Sequence, residues 1–172
     1  MMQNNENTRP TIEDEIKNAG LSGDLQKNAL DFVAYLKECG MSVDETYHGL
    51  FRYYDESVCV IATYPIDNIP GWTIFWGDYD STICCNDYKD FCIDEQVKEF
   101  AWSHANVCGH FTSGGKDCGC GSQPGKTVTI LGKEFDNICT SLLSIRNPNA
   151  KTLEKVRKLA ESWMQCIADA NK

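Results

Sequence analysis

The sequence predicts a single α+β domain, in which one antiparallel sheet of about five to six strands packs against N-terminal, central and C-terminal helices. Segments near both ends of the chain carry one apolar stripe at helical spacing, and a third such segment lies between them. The β-branched and aromatic runs are grouped rather than alternating one by one with helices, which is typical of antiparallel sheets. A length of 172 residues suits one domain with a substantial core.

The first part of the domain is predicted to be helical. Residues 1–10 are polar and are expected to form a flexible N-terminus ahead of the domain at residues 11–172. Thr11 can cap a short helix that stops before Gly20, and a longer helix covers residues 24–39. The apolar stripe of this second helix consists of Leu25, Ala29, Phe32, Val33 and Leu36.

Strands follow the second helix. Residues 48–54 and 58–64 are predicted to form a hairpin, because two aromatic and β-branched runs flank a polar turn. Residues 72–76 form a third strand, and residues 81–85 are consistent with a short fourth one.

The second half of the chain is predicted to return to helix, strand and helix. Asp94 caps a central helix that runs to about residue 106, and a loop rich in Gly and Cys covers residues 109–125. Residues 127–131 and 138–145 are predicted strands, and Asn147 or Asn149 caps the last helix. The stripe of that helix consists of Leu153, Val156, Ala160, Trp163 and Ile167.

The charge and the cysteine content restrict the partners and the compartment. The net charge is −9, with 16 Lys and Arg against 25 Asp and Glu, and there is no basic run, so neither nucleic acid nor an anionic membrane is expected as a partner. No apolar segment of signal-peptide or membrane-spanning type occurs, which predicts a cytoplasmic protein. In that reducing compartment the ten cysteines are expected to be thiols or metal thiolates rather than disulfides.

A set of cysteines and histidines in the second half suggests a structural zinc site. The candidate ligands are His104, Cys108, His110, Cys118, Cys120 and Cys139. Zinc takes about four such ligands in a tetrahedron, and if the central helix reaches Cys108, His104 lies one turn before it on the same face. The Cys-x-Cys spacing is not that of a common zinc finger, so a glycine-rich loop with incidental thiols is the alternative.

Two further functions are compatible with the sequence. A dense group of aromatic residues lies on the predicted sheet, and Tyr53, Trp72 or Trp76 could line a small-molecule pocket of a sensor-like domain. Cys84, Cys85 and Cys92 could bind a soft metal, form a strained disulfide or alternate along a strand. Separately, a reactive thiol elsewhere in the chain would make the protein a thiol-dependent enzyme.

One stretch also resembles a known group of proteins. The segment from Thr129 to Cys139, Asn147–Pro148, and the helix starting near Thr152 are similar to small uncharacterised proteins of anaerobic Firmicutes. The resemblance implies a bacterial, cytosolic protein and a common role for Cys108, Cys118, Cys120 and Cys139. It implies no activity and no catalytic residue.

Overall fold

The computed structural model of the protein describes residues 9–47, 49–78, 93–108 and 125–172, and within them four helices and seven strands. The helices are α1 (Ile12–Asn18), α2 (Asp24–Glu38), α3 (Glu95–Ser103) and α4 (Ala150–Ala170). The strands are β1 (Ser42–Val43), β2 (Leu50–Tyr53), β3 (Glu56–Thr63), β4 (Trp72–Asp78), β5 (Ala105–Val107), β6 (Lys126–Ile130) and β7 (Lys133–Arg146). The strand predicted at residues 81–85 lies outside the described residues.

The helix boundaries follow from local side-chain chemistry. The Thr11 hydroxyl accepts a hydrogen bond from the backbone N–H of Asp14, and the Asp14 carboxylate accepts one from the Thr11 N–H in return. Asn149 caps α4 by accepting from the N–H of Thr152 at 2.9 Å. Asn147 does not cap the helix, because its side-chain oxygen accepts from the N–H of Trp72 instead, also at 2.9 Å.

The seven strands form one antiparallel sheet, and the predicted α+β class is confirmed. The strand order is β1-β2-β3-β4-β7-β5, with β6 also paired to β7. The sheet is larger than expected because β1 and β5, of two and three residues, are too short to give a sequence signal. The hairpin predicted around residue 55 is the β2–β3 pair, and its turn includes Tyr54 at a φ of +51°.

The central helix is shorter than predicted. α3 ends at Ser103, and the chain then enters β5, where Ala105 pairs with Leu143 of β7. The predicted helical end near residue 106 is therefore wrong. The hydrogen bonds that β5 makes with β7 outweigh the weak preference of these residues for a helix.

The helices pack on one face of the sheet. The side chains of Trp72, Ile74 and Trp76 in β4 point to this face. The Trp72 ring lies 6.4 Å from Phe32 of α2, and the Trp76 ring lies 6.0 Å from Trp163 of α4 in an edge-on arrangement. The apolar stripe predicted for α4 is fully buried against this layer. The prediction that the second and last helices pack on one antiparallel sheet is confirmed. In the described part of the chain, no helix combines the length and apolarity that a bilayer crossing requires.

Candidate functional site

The side of the sheet opposite α2 and α4 carries a row of side chains at one register. Leu50 of β2 lies opposite Val60 of β3, Val60 opposite Phe75 of β4, and Phe75 opposite Ser144 of β7. Successive side chains of a strand point to opposite faces, so these residues point away from Ile74 and Trp76. All four are half-buried. We call this side of the sheet the groove face.

The groove face contains a hollow of about 420 Å³. Its lining consists of Tyr47, Leu50, Ser57, Val58, Cys59, Val60, Phe75, Gly77, Thr140 and Ser141. The apolar part of the lining comes mainly from the central strands, and Tyr47, Ser57, Thr140 and Ser141 contribute hydroxyl groups. Tyr47, which is 60% exposed, forms one wall.

A second hollow of about 390 Å³ lies on the other side of Tyr47. It is lined by Thr46, Tyr47 and residues 60–63, together with Arg9 and Glu15 from the N-terminal part of the chain. Arg9 is held there by a hydrogen bond from its Nη1 to the carbonyl oxygen of Thr46 at 3.2 Å. Tyr47 and Val60 line both hollows, so the two lie next to each other along β3.

An aromatic stack leads out of the groove toward the end of β7. Phe75 stacks on Tyr64 with ring centroids 6.3 Å apart and planes 9° apart. The Arg146 guanidinium lies over the Tyr64 ring, with its Cζ atom 5.4 Å from the ring centroid. The hydroxyls of Thr73 and Tyr64 are 3.4 Å apart, and Thr73 is only 1% exposed.

The aromatic residues selected from the sequence do not form this groove. Trp72 and Trp76 are both 0% exposed and face the helices, so the expectation that they lie on the exposed face is wrong. Tyr53 is half-buried and stacks edge-on against Tyr54, with centroids 4.9 Å apart. The alternation along β4 already separates Phe75 from the two tryptophans, but it does not say which set faces the helices.

Three of the six predicted zinc ligands lie in the described residues, and the other three (His110, Cys118 and Cys120) lie outside them. The described ranges contain no group of three or more Cys, His, Asp or Glu side chains placed to hold a metal ion. Cys108 is buried, and its backbone N–H donates to the carbonyl oxygen of Asn137 at 2.6 Å. Cys139 follows Asn137 by two positions on β7 and is half-buried.

The described residues that flank the glycine- and cysteine-rich segment both pair with β7. Val107, just before the segment, and Lys126, just after it, both pair with Ile138. The described residues on either side of positions 109–124 are therefore both paired with the residue that precedes Cys139.

His104 occupies a different position from the one predicted. It is the C-terminal cap of α3, where its Nδ1 lies 2.8 Å from the carbonyl oxygen of Phe100 and its ring 4.3 Å from the Phe100 ring. Because β5 separates it from Cys108, the two do not share a helical face. Four residues of extended chain place them on the order of 10 Å apart.

The described thiols give little support to a nucleophilic role. Cys59, Cys108 and Cys166 are buried, and burial raises the pKa of the Cys59 thiol far above its usual range, so this thiol stays protonated. Cys39 and Cys139 are half-buried. Cys84, Cys85 and Cys92 lie outside the described residues.

Comparisons with protein-family models, with curated proteins and with solved structures give no match to this chain. What the site can do is therefore inferred from its own geometry and chemistry.

Proposed function

We propose that this protein binds a small organic molecule in the groove on the sheet, as a sensor-like or carrier domain. The observation that carries the proposal is the row of Leu50, Val60 and Phe75 at one register, which forms the floor of a hollow of about 420 Å³. Small-molecule sites are generally concave, mostly apolar and roughly 300–1,000 Å³ in volume.

The chemistry of the lining favours binding over catalysis. The polar groups of the lining include the hydroxyls of Tyr47, Ser57, Thr140 and Ser141, which can orient a ligand by hydrogen bonds. Among the described residues, the lining of this hollow includes no carboxylate, imidazole or amine that could act as a general acid or base.

The proposal is tested with phenylnaphthylamine, an uncharged aromatic dye whose fluorescence rises in apolar surroundings. We expect saturable binding of one dye per chain. Val60→Trp fills the floor between Leu50 and Phe75 and should weaken binding by about tenfold or more, equivalent to about 1.4 kcal/mol.

Val107→Trp is the matched control, because Val107 is a strand valine that is 52% exposed and lies outside the groove lining. Circular dichroism should show that both variants remain folded. Binding that does not saturate, or that Val60→Trp and Val107→Trp affect equally, contradicts the proposal.

A second candidate function is a structural zinc site, supported by the pairing of Val107 and Lys126, which flank residues 109–124, with Ile138 next to Cys139. We propose that Cys108 and Cys139 contribute thiolates, with further ligands from His110, Cys118 and Cys120 in that segment. An ion bound this way would tie a glycine-rich segment, which is costly in entropy to order, to the long strand β7.

Elemental analysis of protein purified without chelators tests the metal proposal. We expect about one zinc per chain, lost in Cys108→Ala and in the double variant C118S/C120S, with a lower melting temperature. Cys166→Ala removes a buried cysteine of α4 whose thiol donates to Ser162, and should keep the metal. Metal-free wild-type protein, or equal metal content in all variants, excludes the site.

We also propose that the protein works in the cytosol. The support is that the described thiols of Cys39, Cys59 and Cys108 are free, since thiols persist in a reducing compartment.

A further inference from the structure

Arg146 is held over the groove face by two features of the fold. It lies opposite Thr73 in the β4–β7 register, so its side chain leaves the sheet on the same side as Phe75. Its guanidinium lies against the Tyr64 ring and directly over Gly71. A Cβ at position 71 would overlap Arg146 Nη2, so only glycine leaves room for this placement.

Among the described residues, no acceptor lies within hydrogen-bond distance of the Arg146 Nη1 atom. This atom is buried, and within the described residues no carboxylate forms an ion pair with the guanidinium. By contrast, Arg52 on the neighbouring part of the sheet is paired with Asp44 at 2.6 Å. Buried donors in folded proteins generally find an acceptor.

The Arg146 guanidinium is linked to the proposed ligand groove through the Tyr64 ring. Phe75 lines the groove and stacks on Tyr64 at 6.3 Å, and Tyr64 carries the guanidinium at 5.4 Å. Arg146 and the groove therefore lie on one face of the sheet and are joined by the Tyr64 ring.

We infer that the ligand is an organic anion, whose carboxylate, sulfonate or phosphate group pairs with Arg146 while its apolar part covers Val60 and Phe75. The planar guanidinium fork suits the paired oxygens of such groups, and its placement by Tyr64 and Gly71 reduces the ordering needed on binding. This inference rests on the proposed function, because it names the class of molecule that the groove takes.

The test compares phenylnaphthylamine with anilinonaphthalene sulfonate, which has the same aromatic framework with a sulfonate attached. Wild-type protein should bind the sulfonate dye about tenfold more tightly than the uncharged dye, the effect of a charge-assisted hydrogen bond. Arg146→Gln should abolish this preference and leave the affinity for the uncharged dye unchanged.

Two further variants test whether the preference for the sulfonate dye depends on the position of the Arg146 guanidinium or only on the net charge of the protein. Gly71→Ala keeps the arginine but displaces its guanidinium, and should reduce only the affinity for the sulfonate dye. Lys151→Gln removes one positive charge at an exposed position of α4 and should leave the preference intact.

The outcomes distinguish this inference from the proposed function. Equal binding of both dyes to wild-type protein, each blocked by Val60→Trp, overturns the anion inference and leaves the groove as a ligand site. A preference that Arg146→Gln and Lys151→Gln reduce equally also overturns it, since the effect is then one of net charge. Failure of both dyes to bind overturns the proposed function and this inference together.

Discussion

Gly49 determines how the chain enters β2. Its φ is +77°, and its carbonyl oxygen accepts a hydrogen bond from the N–H of Ile61 at 2.9 Å. A Cβ at this position would overlap the carbonyl oxygen of Ile61, so both the backbone conformation and the close approach of β3 require glycine.

Gly49→Ala and Gly132→Ala form a matched pair. Gly132 has a φ of +84° but no atom within 4 Å of the added Cβ, so Gly132→Ala should cost only the left-handed penalty of about 1–2 kcal/mol. Gly49→Ala adds a steric overlap and should exceed that cost by more than about 1 kcal/mol. Chemical denaturation measures both, and equal losses would show that the Ile61 contact relaxes freely.

Asp44 organises the turn between β1 and β2. The Thr46 hydroxyl, the Tyr47 and Thr46 backbone N–H groups and the Arg52 side chain hold the pKa of this carboxyl far below its usual range. A lowered pKa in the folded state means that the ionised carboxylate stabilises the fold above the unfolded-state pKa. That stability is lost as the pH falls through the folded-state pKa.

Asp44→Asn should therefore lower the melting temperature at neutral pH, because it removes the ion pair with Arg52. The difference from wild type should be constant down to about pH 5 and shrink below about pH 4, where the unfolded carboxyl binds a proton. Glu45→Gln, at the adjacent exposed position, controls for the loss of one negative charge. A difference that grows in acid contradicts the assignment.

At the scale of single elements, the caps and turns determine where helices and strands begin. Leu131 and Gly132, at φ of +48° and +84°, form the tight turn that joins β6 to β7. Because of this turn β7 starts at Lys133 rather than near residue 138 as predicted. With 14 residues, β7 is long enough to pair with β4, β5 and β6.

The Asn149 cap of α4 can be tested directly. Asn149→Ala removes the acceptor for the N–H of Thr152 and should lower the free energy of unfolding by about 1 kcal/mol. Asn149→Ser keeps a capping oxygen and should lose less. Since Asn147 bonds to Trp72, it cannot replace the lost cap. An Asn149→Ala variant as stable as wild type would show that the helix start depends on tertiary packing alone.

At the scale of the whole molecule, one continuous core joins the helices to the sheet. Trp163 of α4 is 4% exposed and meets Trp76 edge-on at the centre of this layer. The Cη2 atom of Trp163 would lie 3.0 Å from a Cβ at Gly77, so the absence of a side chain there lets α4 approach β4.

Trp163→Ala should cost about 3–5 kcal/mol, because it leaves a cavity between α4 and the sheet that its neighbours fill only in part. Ile69→Ala, at a position that is 65% exposed, should change stability by no more than about 0.5 kcal/mol. Thermal and denaturant unfolding measure both. A small effect of Trp163→Ala would mean that the helix layer can move closer to β4.

The sequence by itself determined the fold class, the two apolar helices α2 and α4, and the hairpin of β2 and β3. Each of these depends on periodicity or on capping groups within a few residues, which are readable along the chain. The same local information predicted the stripe of α4 that is buried on the sheet.

Only the tertiary structure decided which side chains form the candidate site. Alternation along β4 puts Phe75 and Trp76 on opposite faces, but the helices that bury Trp76 come from residues far away in sequence. The end of α3 and the position of His104 likewise depend on β5 pairing with β7, more than 30 residues later. The groove and the placement of Arg146 over Gly71 arise from strand register, which is set by packing and not by any local sequence signal.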